Sequence, residues 1–253
     1  MIRAGLRIAR LLLVLGLGLL LAAWVSLLER LPGRDCDALR QRLTRWWLAR
    51  LSQALPFQVR VHGELPRQTV LWVSNHVSWV DIPLLGALQP MTFLSKAEVR
   101  QWPLAGWLAE KAGTLFIHRG SGDSRNLAQQ LAGTLRRGRS ALIFPEGTTT
   151  DGRGLRTFHG RLLAGAIEAG VPLQPVALRY LRNGESDDIA PFIGDDDLLS
   201  HLLRLFRQDR GTVEIHLLPA LSSGAGDRSL LAQQARSAIE VALFGKARQD
   251  LAA

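Results

Sequence analysis

From residue 57 onward, short apolar runs of strand length alternate with stretches of helical periodicity, and that alternation leaves few folds open to the chain. The runs are Phe57–Val61, Val70–Ser74, Met91–Leu94, Thr114–Ile117, Ala141–Phe144, Pro175–Tyr180 and Thr212–Leu217. Between and after them, Leu104–Ala112, Ser124–Arg137, Gly160–Ala169, Leu198–Arg207 and Ser229–Phe244 carry apolar residues at helical spacing. Continuous apolar runs of this length suit strands buried on both faces, and the intervening helices supply the crossovers that parallel strands require. The order predicts an α/β fold, a mixed or mostly parallel sheet flanked by helices. Asn183–Asp197, rich in Asp, Gly and Pro, reads as an irregular acidic excursion.

The chain ahead of this region is built differently. Leu11 to Leu28 is 18 residues without a charge, preceded by Arg3, Arg7 and Arg10. Such a run enters or just spans a bilayer, with its basic end on the cytoplasmic side. A cleaved signal peptide is the competing reading, but the run exceeds the usual apolar region of one and no small-x-small site follows it. Next, Arg34–Leu55 carries Cys36, Leu39, Leu43, Trp46, Trp47, Leu51 and Leu55 at helical spacing, with Arg40, Arg42, Arg45 and Arg50 between them. That pattern fits either a core helix or one lying in a membrane interface, and its position after the apolar run favours the interface. The expected organisation is a membrane anchor at 1–33, an amphipathic helix at 34–56 and an α/β domain at 57–253, facing the cytoplasm from the inner membrane.

A net charge of +9 and a pI of 11.1 point to an acidic partner: nucleic acid, an anionic membrane or an acidic carrier protein. The single cysteine, Cys36, excludes an intrachain disulfide and a thiolate metal cluster, which suits a reducing compartment.

Within the α/β region, Asn75-His76-Val77-Ser78-Trp79-Val80-Asp81-Ile82-Pro83 falls at a strand-to-helix corner. Five residues of regular helix turn through about 500°, so His76 and Asp81 meet only if the backbone bends between them. Ser78 and Asp81 resemble a capping box and Pro83 suits a first helical turn, which sets the helix start between Ser78 and Ile82. Asp81 then reaches one imidazole nitrogen, leaving the other to take a proton from a hydroxyl. The plainer alternative is that His76 bonds to backbone and Asp81 caps a helix.

Three further corners stand out. Phe116-Ile117-His118-Arg119 ends a strand with a basic residue, Phe144-Pro145-Glu146-Gly147-Thr148 ends another in a turn that exposes N–H groups and hydroxyls, and Val171-Pro172-Leu173-Gln174-Pro175-Val176 leads into a third. Taken singly, each also fits a surface arginine, an ordinary turn and a tight connection. Gly133–Ser140 imitates a phosphate-binding loop but runs from helix to strand, the reverse of the order required. No G-x-S-x-G or H-E-x-x-H occurs, so serine hydrolase and zinc enzyme lose their main support, and no metal is expected.

In this order, N-H-x-S-x-x-D, F-I-x-R, F-P-E-G-T and V-P-x-x-P-V resemble the glycerolipid acyltransferase family typified by 1-acylglycerol-3-phosphate acyltransferase, over about residues 65–180. The resemblance implies acyl transfer from an acyl carrier protein or coenzyme A thioester to a lysolipid hydroxyl. It implies no cofactor beyond that donor, and membrane lipids rather than nucleic acid as partners. By the same resemblance His76 is the general base, Asp81 its orienting carboxylate and Arg119 an anchor for the acceptor headgroup. Glu146, Gly147 and Thr148 form the acceptor loop, and Val171 and Pro172 shape an acyl channel. The leading expectation is therefore conversion of 1-acyl-sn-glycerol-3-phosphate to phosphatidate. Two departures open an alternative. Thr149 and His159 stand where the family commonly has basic residues suited to a phosphate, so either Arg153, Arg156 or Arg161 compensates or the acceptor has no phosphate, as in a lyso-ornithine lipid O-acyltransferase. A non-catalytic membrane lipid-binding protein and a lipid hydrolase remain as readings from other classes.

Overall fold

The computed structural model describes residues 2–117, 124–224 and 227–245. In chain order these form α1 (Ile2–Leu28), α2 (Asp37–Ala54), β1 (Phe57–His62), β2 (Leu71–Ser74), α3 (Asp81–Gly86), β3 (Thr92–Lys96), α4 (Ala105–Lys111) and β4 (Leu115–Ile117). There follow α5 (Ser124–Arg136), β5 (Ala141–Ile143), α6 (Ala164–Ala169), β6 (Leu173–Arg182), β7 (Glu185–Ser186), α7 (Leu198–Arg207), β8 (Gly211–Leu217) and α8 (Arg228–Phe244). Every expected strand and helix has a counterpart, with ends moved by a few residues, except that the helix expected over Gly160–Ala169 opens as a 3-10 turn, Gly160–Leu163, before α6.

One part of the irregular excursion is instead a hairpin. β7 pairs antiparallel with the end of β6, Leu181 opposite Ser186 and Arg182 opposite Glu185. Asn183 and Gly184 make the connection, both at positive φ (55° and 85°). Asn-Gly is the favoured pair for a two-residue turn of that hand, because both positions need left-handed backbone. The polar composition around it concealed the signal.

The chain folds as two compact units. The first comprises residues 1–57, 79–123 and 195–210. Here β3 and β4 pair in parallel, Leu94 opposite Leu115 and Lys96 opposite Ile117. α1 packs on α2, where Trp47 Nε1 donates to the Val14 carbonyl at 2.8 Å. The approach depends on Gly18, whose added Cβ would lie 2.5 Å from the Trp47 indole. Arg7 Nη1 donates to the carbonyls of Phe206 (2.8 Å) and Gln208 (2.6 Å), putting a cation at the C-terminus of α7, where the helix dipole favours one. α1 is long and apolar enough to cross a membrane, and Leu6, Leu12, Leu13, Leu20, Trp24 and Leu27 on it are exposed.

The second unit comprises residues 58–78, 124–194 and 211–253. Its sheet has the order β1-β8-β6-β2-β5, with β7 on β6. β2 is parallel to both β5 and β6, and β8 is antiparallel to β6, so the sheet is mixed. Leu71, Trp72 and Val73 on central β2 are wholly buried, as a continuous apolar run requires. Leu131 and Leu135 of α5, Ala166 of α6 and Ile239 of α8 complete that core. Gly63, just after β1, has φ +90°, and an added Cβ would stand 2.3 Å from the Leu217 carbonyl oxygen. Gly63→Ala is expected to cost about 1–3 kcal/mol through strain at a backbone that cannot yield. Thermal melting by circular dichroism checks this; an unchanged midpoint would contradict it.

Candidate active site

The parallel strands of the second unit end on one edge, and two loops leave from it. The loop after β2 opens with Asn75, wholly buried, whose Nδ2 donates to the Leu178 carbonyl (3.0 Å) while its Oδ1 accepts from Leu178 N (2.8 Å). The side-chain amide thus imitates one more rung of the β2–β6 ladder. His76 is the first residue freed from the sheet.

Its position is fixed from several sides. His76 N donates to Glu146 Oε1 at 2.9 Å. The His76 carbonyl accepts from Thr150 N at 2.8 Å and Thr150 Oγ1 at 3.3 Å. The imidazole stacks on Phe144, ring centroids 3.8 Å apart and planes within 10°. Glu146 is 4% exposed, and its second oxygen accepts from Arg156 N at 2.8 Å. The carboxylate therefore clamps the loop after β2 to the loop after β5. Gly147, at φ +69°, lets that second loop turn back so that its N–H reaches the Phe144 carbonyl at 3.0 Å. Thr148 is half-buried in the same turn. Thr149, the position where the resemblance implies a basic residue, donates its hydroxyl to the Phe192 carbonyl.

In the first unit, Asp81 is the first residue of α3 and is wholly buried. The helix starts within the expected interval and holds Pro83 in its first turn. The residue at the N-cap is Val80, with no side-chain cap, and main chain closes the turn, Ile82 N donating to the Trp79 carbonyl at 3.3 Å. Ser78 is buried ahead of that turn.

Arg119 belongs to residues 118–123, which lie outside the described residues. Val171 and Pro172 precede β6: Val171 N donates to the Ala166 carbonyl at 3.1 Å, and the Pro172 carbonyl accepts from Leu71 N at 3.0 Å. Since β6 runs parallel to β2, the pair stands at the edge opposite His76, about 20 Å away by strand rise. The structure therefore brings His76 and Glu146 together and leaves Val171 and Pro172 apart from them. Asn75, Phe144 and Thr150 were inside or beside the motifs without an assigned role. On the edge with His76, a cavity of about 660 Å³ is lined by Val77, Asp151, Arg153, Arg179, Tyr180 and Glu214, among others.

A mixed α/β sheet thus holds a pinned, half-exposed histidine at the carboxyl edge of its parallel strands, the edge at which open α/β sheets bind ligands. The sequence profile of the Acyltransferase family matches residues 58–179. A lyso-ornithine lipid O-acyltransferase of Pseudomonas aeruginosa is 70% identical over 246 residues, 97% of this chain and 95% of that one. A 1-acyl-sn-glycerol-3-phosphate acyltransferase of Neisseria gonorrhoeae is 36% identical over 147 residues, 58% of each. Among solved structures, the 1-acyl-sn-glycerophosphate acyltransferase of Thermotoga maritima shares the fold, with TM-score 0.63 at 21% identity over 94% of this chain and 96% of that one. The chain belongs to the acyltransferase family and is an acyltransferase.

Proposed function

We propose that the chain is a lyso-ornithine lipid O-acyltransferase, moving an acyl group from an acyl carrier protein or coenzyme A thioester to the free hydroxyl of the lysolipid. The observation that carries this is the 70% identity, across nearly the whole chain, with the Pseudomonas aeruginosa protein of that name. Two features of the site support it over phosphatidate formation. Thr149 uses its hydroxyl on a main-chain carbonyl and offers no charge to a phosphate. The cavity beside Val77 carries Arg153 and Arg179 together with Asp151 and Glu214, a mixed lining suited to a headgroup with one carboxylate and one ammonium.

In this mechanism the hydroxyl oxygen attacks the thioester carbonyl while an imidazole nitrogen of His76 removes its proton. The tetrahedral intermediate then expels thiolate, the C–S bond breaks, and His76 returns the proton to sulfur. Asp81 is the carboxylate that holds the imidazole in the needed tautomer, a role inferred from its spacing in the motif. A base of this kind contributes typically ~10²–10⁴-fold. The exposed apolar side of α1 rests in the membrane that supplies the lipid. Contacts with α2, α4 and α7 tie α1 to the folded unit, which favours entry into one leaflet over a free crossing.

An acceptor screen tests the proposal. Purified protein with acyl donor should acylate lyso-ornithine lipid at least about tenfold faster than lysophosphatidate, a preference of ~1.4 kcal/mol, with products identified by mass. Phosphatidate as the dominant product would overturn it, and free fatty acid without acylated lipid would favour hydrolysis.

A further inference from the structure

We infer that His201 on α7 is a positioning residue for the turn that presents Asp81. The two segments are far apart in sequence, and α7 lies outside the segment matched by the family profile. Yet Trp79 Nε1 donates to His201 Nδ1 at 3.0 Å, with the rings edge to face at 78°. An Nδ1 that accepts a hydrogen bond belongs to an imidazole carrying a single proton on Nε2. His201 is 0% exposed. Burying an imidazole sacrifices its hydration, which an apolar residue of similar size would not do. Its acceptor nitrogen, aimed at the indole N–H, gives a directional contact that apolar packing could not.

Trp79 is where that direction matters. Its carbonyl closes the first turn of α3 by accepting from Ile82 N, and Leu84 N reaches the Val80 carbonyl at 3.3 Å. α3 is only six residues long, too short to define its own orientation without tertiary contacts. The indole is therefore the handle by which the turn is held, and α7 is a firm support for it. Asp197 caps α7 by accepting from Ser200 N at 2.9 Å. Arg204 forks onto Asp196 at 2.9 and 2.7 Å, and Leu205 and Phe206 are buried. At the far end Arg7 of α1 holds the last carbonyls. His201 thus acts on the reaction through Trp79 and never touches substrate.

The inference rests on the reading of Asp81 as the carboxylate partner of His76. Its test measures kcat and acceptor KM of the full chain in detergent or nanodiscs, with lyso-ornithine lipid as acceptor. The variants are His201→Leu, Trp79→Phe, the double variant, His201→Asn and Asp81→Asn. His201→Leu and Trp79→Phe should each lower kcat about tenfold with KM little changed, and the double variant should fall no further, since both remove one contact. His201→Asn, whose side-chain carbonyl occupies the place of Nδ1, should recover kcat to within about threefold of the parent. Parental kcat in Trp79→Phe, additive losses in the double variant, or no recovery with Asn while the protein melts normally would overturn the inference. If His201→Leu fails to fold, Trp79→Phe and His201→Asn still decide. A parental rate in Asp81→Asn would instead sink the reading of Asp81. An inactive Asp81→Asn beside a fully active Trp79→Phe sinks only the role of His201.

Discussion

His76→Ala should lose acyl transfer by about 10²–10⁴-fold and still fold. Two of the contacts that hold the loop at this position are main-chain ones, His76 N to Glu146 and the His76 carbonyl to Thr150, and alanine keeps both. Among the groups alanine removes are the proposed base and its stack on Phe144, a contact worth about 0.5–1.5 kcal/mol. At roughly 2–4 °C per kcal/mol for a chain of this size, the melting midpoint should move by only a few degrees. Single-turnover assays beside thermal melts separate the two effects. Activity surviving within a few-fold of the parent would remove His76 from the mechanism, and loss of both fold and activity would make it a structural residue.

Glu146→Ala should cost both stability and rate. Its carboxylate is buried and each oxygen accepts a main-chain N–H, one from His76 and one from Arg156. Removing it leaves two part-buried N–H groups without their carboxylate partner, at up to about 1–3 kcal/mol each, and the melting midpoint should fall by several degrees. The loop bearing His76 loses its tie, and a displacement of about 1 Å at a reacting group can cost ~10²-fold in rate. Glu146→Gln is the sharper variant. The amide keeps the size but only one acceptor oxygen, so its NH₂ must face one of the two N–H groups. It should lie between parent and alanine in midpoint. A Glu146→Ala protein that melts like the parent yet is inactive would assign the carboxylate to substrate instead of to the clamp.

Much of this molecule was legible in the sequence because the signals are local. Continuous apolar runs gave the buried strands, helical spacing gave α5, α7 and α8, and Pro83 with the turn residues before it bracketed the start of α3. Local signals also misled. Ser78 and Asp81 have capping-box spacing, but spacing alone does not set which residue stands at the N-cap, and here it is Val80, two residues after Ser78. The Asn183-Gly184 hairpin lay hidden in a stretch whose polarity suggested only a loop.

The site divides along the same line. Sequence by itself determined the strand-and-helix order, the apolar N-terminal helix, and the identity of His76, Asp81 and Glu146 as residues worth watching. Those features depend on periodicity and on short motifs, which neighbouring residues encode. Only the tertiary structure decided what Glu146 does, because a carboxylate 70 residues away in the chain meets His76 N only when β2 and β5 lie side by side. It likewise set Val171 and Pro172 at the opposite edge, since parallel pairing fixes which end of β6 lies beside which end of β2. The same holds for Trp79 and His201, 122 residues apart. A single buried hydrogen bond leaves no periodic trace in sequence, so no local pattern could have announced it.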